Sequence, residues 1–445
     1  MTPTPIAVKK SWFNPARKLL LSLAIITVIA GSIGGGLVVF LRSRPFQKIQ
    51  DTEAAAFTKE QEISRLAEGL PTIARPVHIL VLGTIVLTAD RPSLAQPNDR
   101  YFRQIDHDLD GHSDAILLVR LDPEQRKISI LSIPRDTLVD IPSVGRGKIN
   151  TANFMGGVML SARTVSQLLG GTRIDRYVRL NVRGFSQLID ILGGVEVYVA
   201  KDMKYQDDSQ RLYINLKAGR QVLNGDQAVQ YMRFRQDDLG DIGRVQRQQA
   251  FLRALIEQKL NVETVVKLPD ILQVLQHNLD TNLSVEEMLA VANFAAQIGK
   301  KDTRLYMLPG RFSGNEYYIS YWLVDQPALA RLINQNFQAT MPTPIQAGDP
   351  QQARIVIQDS LLPQTERNPR LQRALTQLQQ AGYQFTSTLP SPEVPPLERT
   401  LIIAQSGDRQ LAEAVQQALG RGEIRIEATG VLESEVTVRL GKDWQ

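Results

Sequence analysis

From Leu19 to Leu41 the chain carries no charge, LLLSLAIITVIAGSIGGGLVVFL, and no other feature constrains it as strongly. Coiled as a helix at 1.5 Å per residue, this run reaches about 34 Å, enough to span a hydrocarbon core of about 30 Å. A cleaved secretory leader is the rival reading. Its apolar region is shorter and ends in a small-residue cleavage site, whereas this run passes straight into Arg42 and Arg44. We therefore read residues 19–41 as a transmembrane helix. Residues 1–18 hold Lys9, Lys10, Arg17 and Lys18 and no acid, while the far flank mixes Arg42, Arg44 and Lys48 with Asp51 and Glu53. Basic residues set orientation, so the expectation is a cytoplasmic tail over 1–18, a single pass through the cytoplasmic membrane and an extracytoplasmic body. Residues 42–75, mixed in charge and partly Ala/Glu-rich, read as a juxtamembrane stalk.

Those four tail cations account for most of the net charge of +5. The remaining body is nearly neutral, which gives no support to a nucleic-acid partner. The chain has no cysteine, excluding a disulfide scaffold, a thiolate nucleophile and a Cys-ligated metal. The body is α/β by pattern. Val77–Leu82, Asp114–Leu121 and Lys127–Ile133 are apolar runs bounded by turn residues, hence strands. Residues 158–169 read as a helix stopped at Gly170, residues 177–182 and 195–199 as strands around a helix ending at Gly193-Gly194, and residues 241–260 as a helix with Asp241 as N-cap. Further helices are expected over 268–277 and 284–297. The Pro/Gly-rich stretch 339–352 reads as a linker between a body over 76–338 and a small α/β unit over 353–445. The small unit alternates strand, helix, strand and helix, with stops at Gly382 and Gly420, before two final strands.

No GxSxG, HExxH or Walker A motif occurs, and His78, His107 and His112 lack metal-ligand spacing. Arginines stand out instead. Arg135 follows the strand 127–133 directly, where α/β proteins place ligand groups; the alternative is a surface turn in which it pairs with Asp136 or another acid. Arg233 and Arg235 precede the helix from Asp241. Counting back by fours from its apolar Leu252 meets Gln248 and then Arg244, so the core-facing stripe becomes polar in the first two turns. A buried guanidinium needs an anion. That anion is either the chain's own Asp237, Asp238 or Asp241, or a phosphate, which suits the arginine fork.

Several stretches resemble the LytR–CpsA–Psr family of membrane-anchored cell-wall glycopolymer transferases. They include Ser113–Arg120, Leu131–Thr137, Lys148–Asn150, Leu168–Gly170, Ile189–Val195, Arg233–Arg235 and Gly243–Gln249, in order over about residues 76–255. The end of the chain, Leu440-Gly-Lys-Asp-Trp444, resembles the LytR-type C-terminal accessory domain. The resemblance implies an α/β sandwich with a central mixed sheet. It also implies a polyprenyl diphosphate-linked glycan as donor, with its lipid in an apolar tunnel, and peptidoglycan as acceptor. By motif position Arg135, Lys148, Arg233, Arg235, Arg244 and Gln248 would hold the diphosphate. Arg135, Arg233, Arg235 and Asp241 would act in catalysis, and Asp114 would bind Mg²⁺.

The family's second metal aspartate follows its first strand, but this chain has Leu82-Gly83-Thr84-Ile85 there, and isoleucine cannot ligate magnesium. Asp90, or one of Asp106, Asp108 and Asp110, is the candidate replacement. Two alternatives to the transferase stand beside it: a non-catalytic envelope protein that binds lipid-linked precursors or peptidoglycan, and a polyprenyl diphosphate hydrolase.

Overall fold

The computed structural model describes residues 43–48, 57, 62–65, 70–85, 109–208, 212–236, 241–298, 302–337, 341, 353–361, 368–384, 386–388, 395–405, 407–432 and 434–444. The expected tail 1–18, the apolar span 19–41 and, of the expected linker 339–352, all but Met341 lie outside them. Among the described residues no helix is long and apolar enough to cross a membrane.

The three apolar runs form the middle of a six-stranded mixed sheet. Strand β1 (Val77–Ile85) pairs antiparallel with β2 (His112–Asp122), which pairs antiparallel with β3 (Lys127–Ile133). Beyond β3 comes a hairpin of β4 (Leu138–Ile141) and β5 (Gly145–Lys148), then helix α1 (Thr151–Leu168). Strand β6 (Arg176–Asn181) joins the sheet parallel to β1, and helix α2 (Val182–Ile191) follows it. Leu80 and Leu82 are fully buried, and Ile79 on the opposite face is buried too, because helices cover both sides of the central strands. Helix α1 starts seven residues before its expected position and is broken at Gly156-Gly157. Gly157 sits at φ +62, a left-handed conformation that a β-carbon disfavours.

Helix α3 (Gly225–Arg233) carries a capping box from Asn224 to Gln227, and α4 (Asp241–Lys259) follows. Strand β7 (Leu279–Thr281) edges the sheet beside β6, helix α5 (Val285–Gln297) starts at a Ser284–Glu287 capping box, and β8 (Thr303–Met307) closes the other edge parallel to β3. The spatial order is β7-β6-β1-β2-β3-β8. Helix α4 is wedged between two apolar clusters. Val245 and Ile256 belong to the core on the main sheet, and Phe251 to a second core built on antiparallel strands between residues 195 and 223.

Residues 43–75 are not a free stalk where they are described. Phe57 and Ile63 are buried in the main core, with the Phe57 ring 5.0 Å from that of Tyr177. Ser64–Arg65 pairs with Thr72–Ile73, and the Ser64 hydroxyl donates to Glu286 of α5 at 2.8 Å. Composition marked this segment as polar, but three or four apolar anchors suffice to dock it.

The C-terminal unit is a five-stranded mixed sheet with its own core. Ile355–Asp359, Leu401–Ala404 and Val436–Leu440 form its centre, and helices Pro369–Gln380 and Arg409–Leu419 pack on it. The second helix ends at Gly420 in the left-handed conformation, as its position in the sequence suggests. The unit is docked on the larger body rather than tethered beside it. Ala428 and Leu432 are buried in the main core, and Glu427 pairs with Arg253 of α4 at 3.3 Å.

Candidate functional site

The site grows from the ends of β2 and β3. Their register pairs Ile116 with Ile133, and the same register carried two residues further sets Asp114 across from Arg135. Between β1 and β2 the register shifts: Gly83 opposes Ala115 and Thr84 opposes Ser113, so Asp114 is the extra residue of a bulge. A bulge re-aims its residue off the regular pleat. Arg135 Nη1 donates to Asp114 Oδ1 at 2.7 Å. Past β3, Pro134 has no N–H to continue the ladder, and its carbonyl accepts from the Thr137 amide at 3.0 Å. This turn throws Arg135 and Asp136 beyond the strand end. The amides of Ile149 and Asn150 then donate to the carbonyls of Thr137 and Arg135, which brings Lys148 back beside Asp136.

Asp136 is the hub. Its Oδ1 accepts from Lys148 Nζ at 2.7 Å, its Oδ2 from Arg244 Nη2 at 3.3 Å, and Arg135 Nε lies 3.5 Å from Oδ2. Burial alone would push this carboxyl up; Arg135, the bonded Lys148 and Arg244 outweigh it and hold it below its ordinary value. Among the described residues the cluster sets three cations beside two carboxylates. Arg244 is 3% exposed, while the side chains of Lys148 and Asp114 are each 27% exposed, so the cluster is rooted in the core and open at one rim. Such a cluster can take an anion with little rearrangement of its arginines.

Arg244 is buried, as the stripe of α4 implied, and it pairs with Asp136; Asp237 and Asp238 lie outside the described residues. Gln248 is only half-buried. Arg247 and Gln249 are the more deeply buried polar residues, because packing on two sides leaves α4 no single inner stripe. Arg247 donates to the Phe234 carbonyl and lies 5.4 Å from the centre of the Phe234 ring; Gln249 donates to Ser132 Oγ on β3. Both tie α4 to its neighbours. Arg233 lies in the last turn of α3 and lines an open groove of about 590 Å³ with Arg183, Gln187, Tyr213 and Asp226. Arg235 is exposed just beyond it. No described contact joins either arginine to Asp136. Asp241 opens α4, but its side chain lies outside the description, as do Asp90, Asp106 and Asp108. Asp110 is described and pairs with Arg179 at 2.9 Å. Among the described residues no three acids or histidines gather as a metal site.

Sequence reasoning missed Asp136 as a centre, treating it only as a neighbour of Arg135. It also missed a second buried ionic network on β6. Arg176 binds Glu287 through two nitrogens, and Arg179 binds Asp280 at 2.8 Å. Tyr177 donates its hydroxyl to Asp280, and burial pushes that hydroxyl's pKa well above its ordinary value. The amide of Lys48 also donates to Asp280. Two arginines inside an otherwise apolar strand were the available signal. Their partners lie about a hundred residues away, and the network pins the N-terminal segment to the sheet.

Residues 44–338 match the model of the LytR_cpsA_psr family, and residues 332–444 match a model described as LytR cell envelope-related transcriptional attenuator. The chain is 34% identical over 231 residues, 52% of its length and 68% of the relative's, to the regulatory protein MsrR of Staphylococcus aureus. It is 37% identical over 188 residues, 41% of its length and 47% of the relative's, to the polyisoprenyl-teichoic acid–peptidoglycan teichoic acid transferase TagV of Bacillus subtilis. The crystal structure of protein gbs0355 from Streptococcus agalactiae matches its fold with a TM-score of 0.50 at 22% identity, over 60% of this chain and 91% of that one.

Proposed function

This chain belongs to the LytR–CpsA–Psr family, and we propose that it is a membrane-anchored phosphotransferase that moves a glycopolymer phosphate from a polyprenyl diphosphate carrier to a peptidoglycan hydroxyl. The observation that carries this reading is the Asp136-centred cluster of Arg135, Lys148 and Arg244 at the end of the central sheet. TagV, similar over 188 residues, is named for a reaction of this kind. In the reaction an acceptor oxygen attacks the sugar-side phosphorus. The bond from that phosphorus to the bridging oxygen breaks, polyprenyl phosphate leaves with the electron pair, and the hydroxyl proton is lost to a base. Charge neutralisation and in-line positioning, rather than a protein nucleophile, are what this transfer needs. Arg135, Lys148 and Arg244 would hold the diphosphate, with Arg233, Arg235 and Gln248 joining from the neighbouring elements. Asp241 is the proposed base or arginine-orienting group.

A magnesium ion fits these residues only together with substrate. Asp114 is one carboxylate, already bonded to Arg135, and one carboxylate plus phosphate oxygens is an arrangement magnesium accepts. Bound there with the diphosphate, it would neutralise phosphate charge. The same reading puts the body outside the cytoplasmic membrane, so that protease added to intact spheroplasts digests an epitope after Trp444.

The purified full chain, given a synthetic polyprenyl diphosphate-linked saccharide and peptidoglycan, is expected to form a phosphodiester-linked product and release polyprenyl monophosphate. Arg135→Ala is expected to lower the rate at least a hundredfold, about 3 kcal/mol of transition-state stabilisation. Release of the saccharide phosphate to water would make it a hydrolase. Tight donor binding with no product would make it a binding protein.

A further inference from the structure

The hairpin of β9 (Gly310–Phe312) and β10 (Trp322–Val324) lies directly beside the charged cluster. The Trp322 amide donates to the Asp136 carbonyl at 2.9 Å, and Lys148 Nζ sits 5.7 Å from the centre of the Tyr321 ring. The tip between the strands reads Ser313-Gly-Asn-Glu-Tyr-Tyr-Ile-Ser-Tyr321. Five of the eleven residues from Phe312 to Trp322 are aromatic, against 6% in the whole chain, so this composition is local.

At the root of the hairpin the rings pack conventionally, with Phe312 edge-on to the buried Trp322 at 5.1 Å. At the tip they face solvent. Tyr317 is 38% exposed, Ile319 47% and Tyr318 104%. Tyr317 stands edge-on to Tyr321 at 5.2 Å, which ties the exposed rings to the ring beside Lys148. Nothing in the fold requires three large side chains in water at this place, and contiguous exposed apolar surface of this kind marks an interaction site.

The chemistry of the tip selects the partner. A sugar ring offers an apolar C–H face that stacks on an aromatic ring and a rim of hydroxyls that bond to amides and carboxylates. Asn315, Glu316 and Ser320 supply such groups among the rings. Hydrocarbon would be a poor partner, because Glu316 and Asn315 would have to be buried in it. A polyanion would be equally poor. Glu316 is paired with Arg311 at 2.8 Å, so these two charges cancel.

Resting on the function proposed above, we infer that residues 313–321 form the docking platform for the acceptor, the neutral sugar backbone of a peptidoglycan strand, and hold it where a sugar hydroxyl reaches the Arg135–Asp136–Lys148 cluster. The rings of Tyr317 and Tyr318 take the sugar faces, and Tyr321 links platform to cluster.

The test uses the detergent-solubilised full chain with Tyr317→Ala and Tyr318→Ala together, at two exposed positions. Co-sedimentation with purified peptidoglycan is expected to weaken at least tenfold and to be restored by Tyr317→Phe with Tyr318→Phe. Farnesyl diphosphate binding is expected to stay within twofold of the parent; its absence from the parent protein itself would count against the transfer reaction, which keeps the two ideas separable. Soluble peptidoglycan fragments should also shield Tyr317 and Tyr318 from aqueous iodination, read by mass spectrometry. The inference is overturned if the double variant sediments with peptidoglycan as the parent does. It is overturned equally if lipid vesicles, without fragments, shield the two tyrosines.

Discussion

Replacing Asp136 by Asn tests how the cluster is held together. The substitution keeps the shape and one acceptor oxygen but removes the charge to which three cations point. Lys148, bonded at 2.7 Å, and Arg135 have partly exposed side chains and can turn toward water. Arg244 cannot, being 3% exposed and 3.3 Å from the lost charge. Breaking a buried ion pair by removing one charge costs about 3–5 kcal/mol, and the retained oxygen offsets part of this, so a loss of about 3 kcal/mol is expected. The cluster would then have one negative charge fewer beside its three cations, and an added anion should replace it. Inorganic pyrophosphate is therefore expected to stabilise Asp136→Asn more than it stabilises the parent. The pH dependence has a definite sign. The folded carboxyl lies below its unfolded value, so its contribution is present above the unfolded pKa, about 3.9, and is lost as pH falls through the folded one. The gap between parent and variant should accordingly be constant near neutrality and close only in acid below about pH 4. Urea denaturation across pH, with and without pyrophosphate, measures each quantity. A loss under about 1 kcal/mol, or an equal pyrophosphate shift in both proteins, would refute the hub assignment.

Three further outcomes are expected. Burial lowers His78 to about 4, so the unfolded chain binds its proton first and stability falls as pH drops from about 6.5 toward 4; His78→Leu should flatten that segment of the stability curve. Arg179→Met leaves the fully buried Asp280 with only Tyr177 and the Lys48 amide, and should cost about 3–5 kcal/mol in denaturation while diphosphate affinity per folded molecule stays unchanged. Glu427→Gln removes the charge that meets Arg253 on α4 and should loosen the C-terminal unit by about 1–2 kcal/mol, seen as several-fold faster release of that unit in limited proteolysis.

The strands of the central sheet were legible because apolar runs bounded by turn residues have one way to be buried. Val77–Leu82 and Lys127–Ile133 sit where their patterns put them, and Arg135 follows a strand end as expected. Gly382 and Gly420 likewise stop helices in the C-terminal unit. Periodicity along α4 pointed to a buried Arg244, and Arg244 is buried. What no local pattern could give is its pairing with Asp136. Asp136 lies 108 residues earlier in the chain and meets Arg244 only because one follows β3 while the other sits on the helix packed over that strand. Asp114 lies across from Arg135 through the register between β2 and β3, and the bulge that re-aims it depends on the register between β1 and β2, properties of strands together. The same holds for Arg247 and Gln249, buried because α4 has a core on either side. It holds also for residues 43–75, whose few apolar side chains find a place in a core the rest of the chain builds. Hydrophobic pattern is written residue by residue and read locally. Charge pairing is settled by which distant ends the sheet brings together, since an ion pair a few ångströms long carries no trace in sequence spacing.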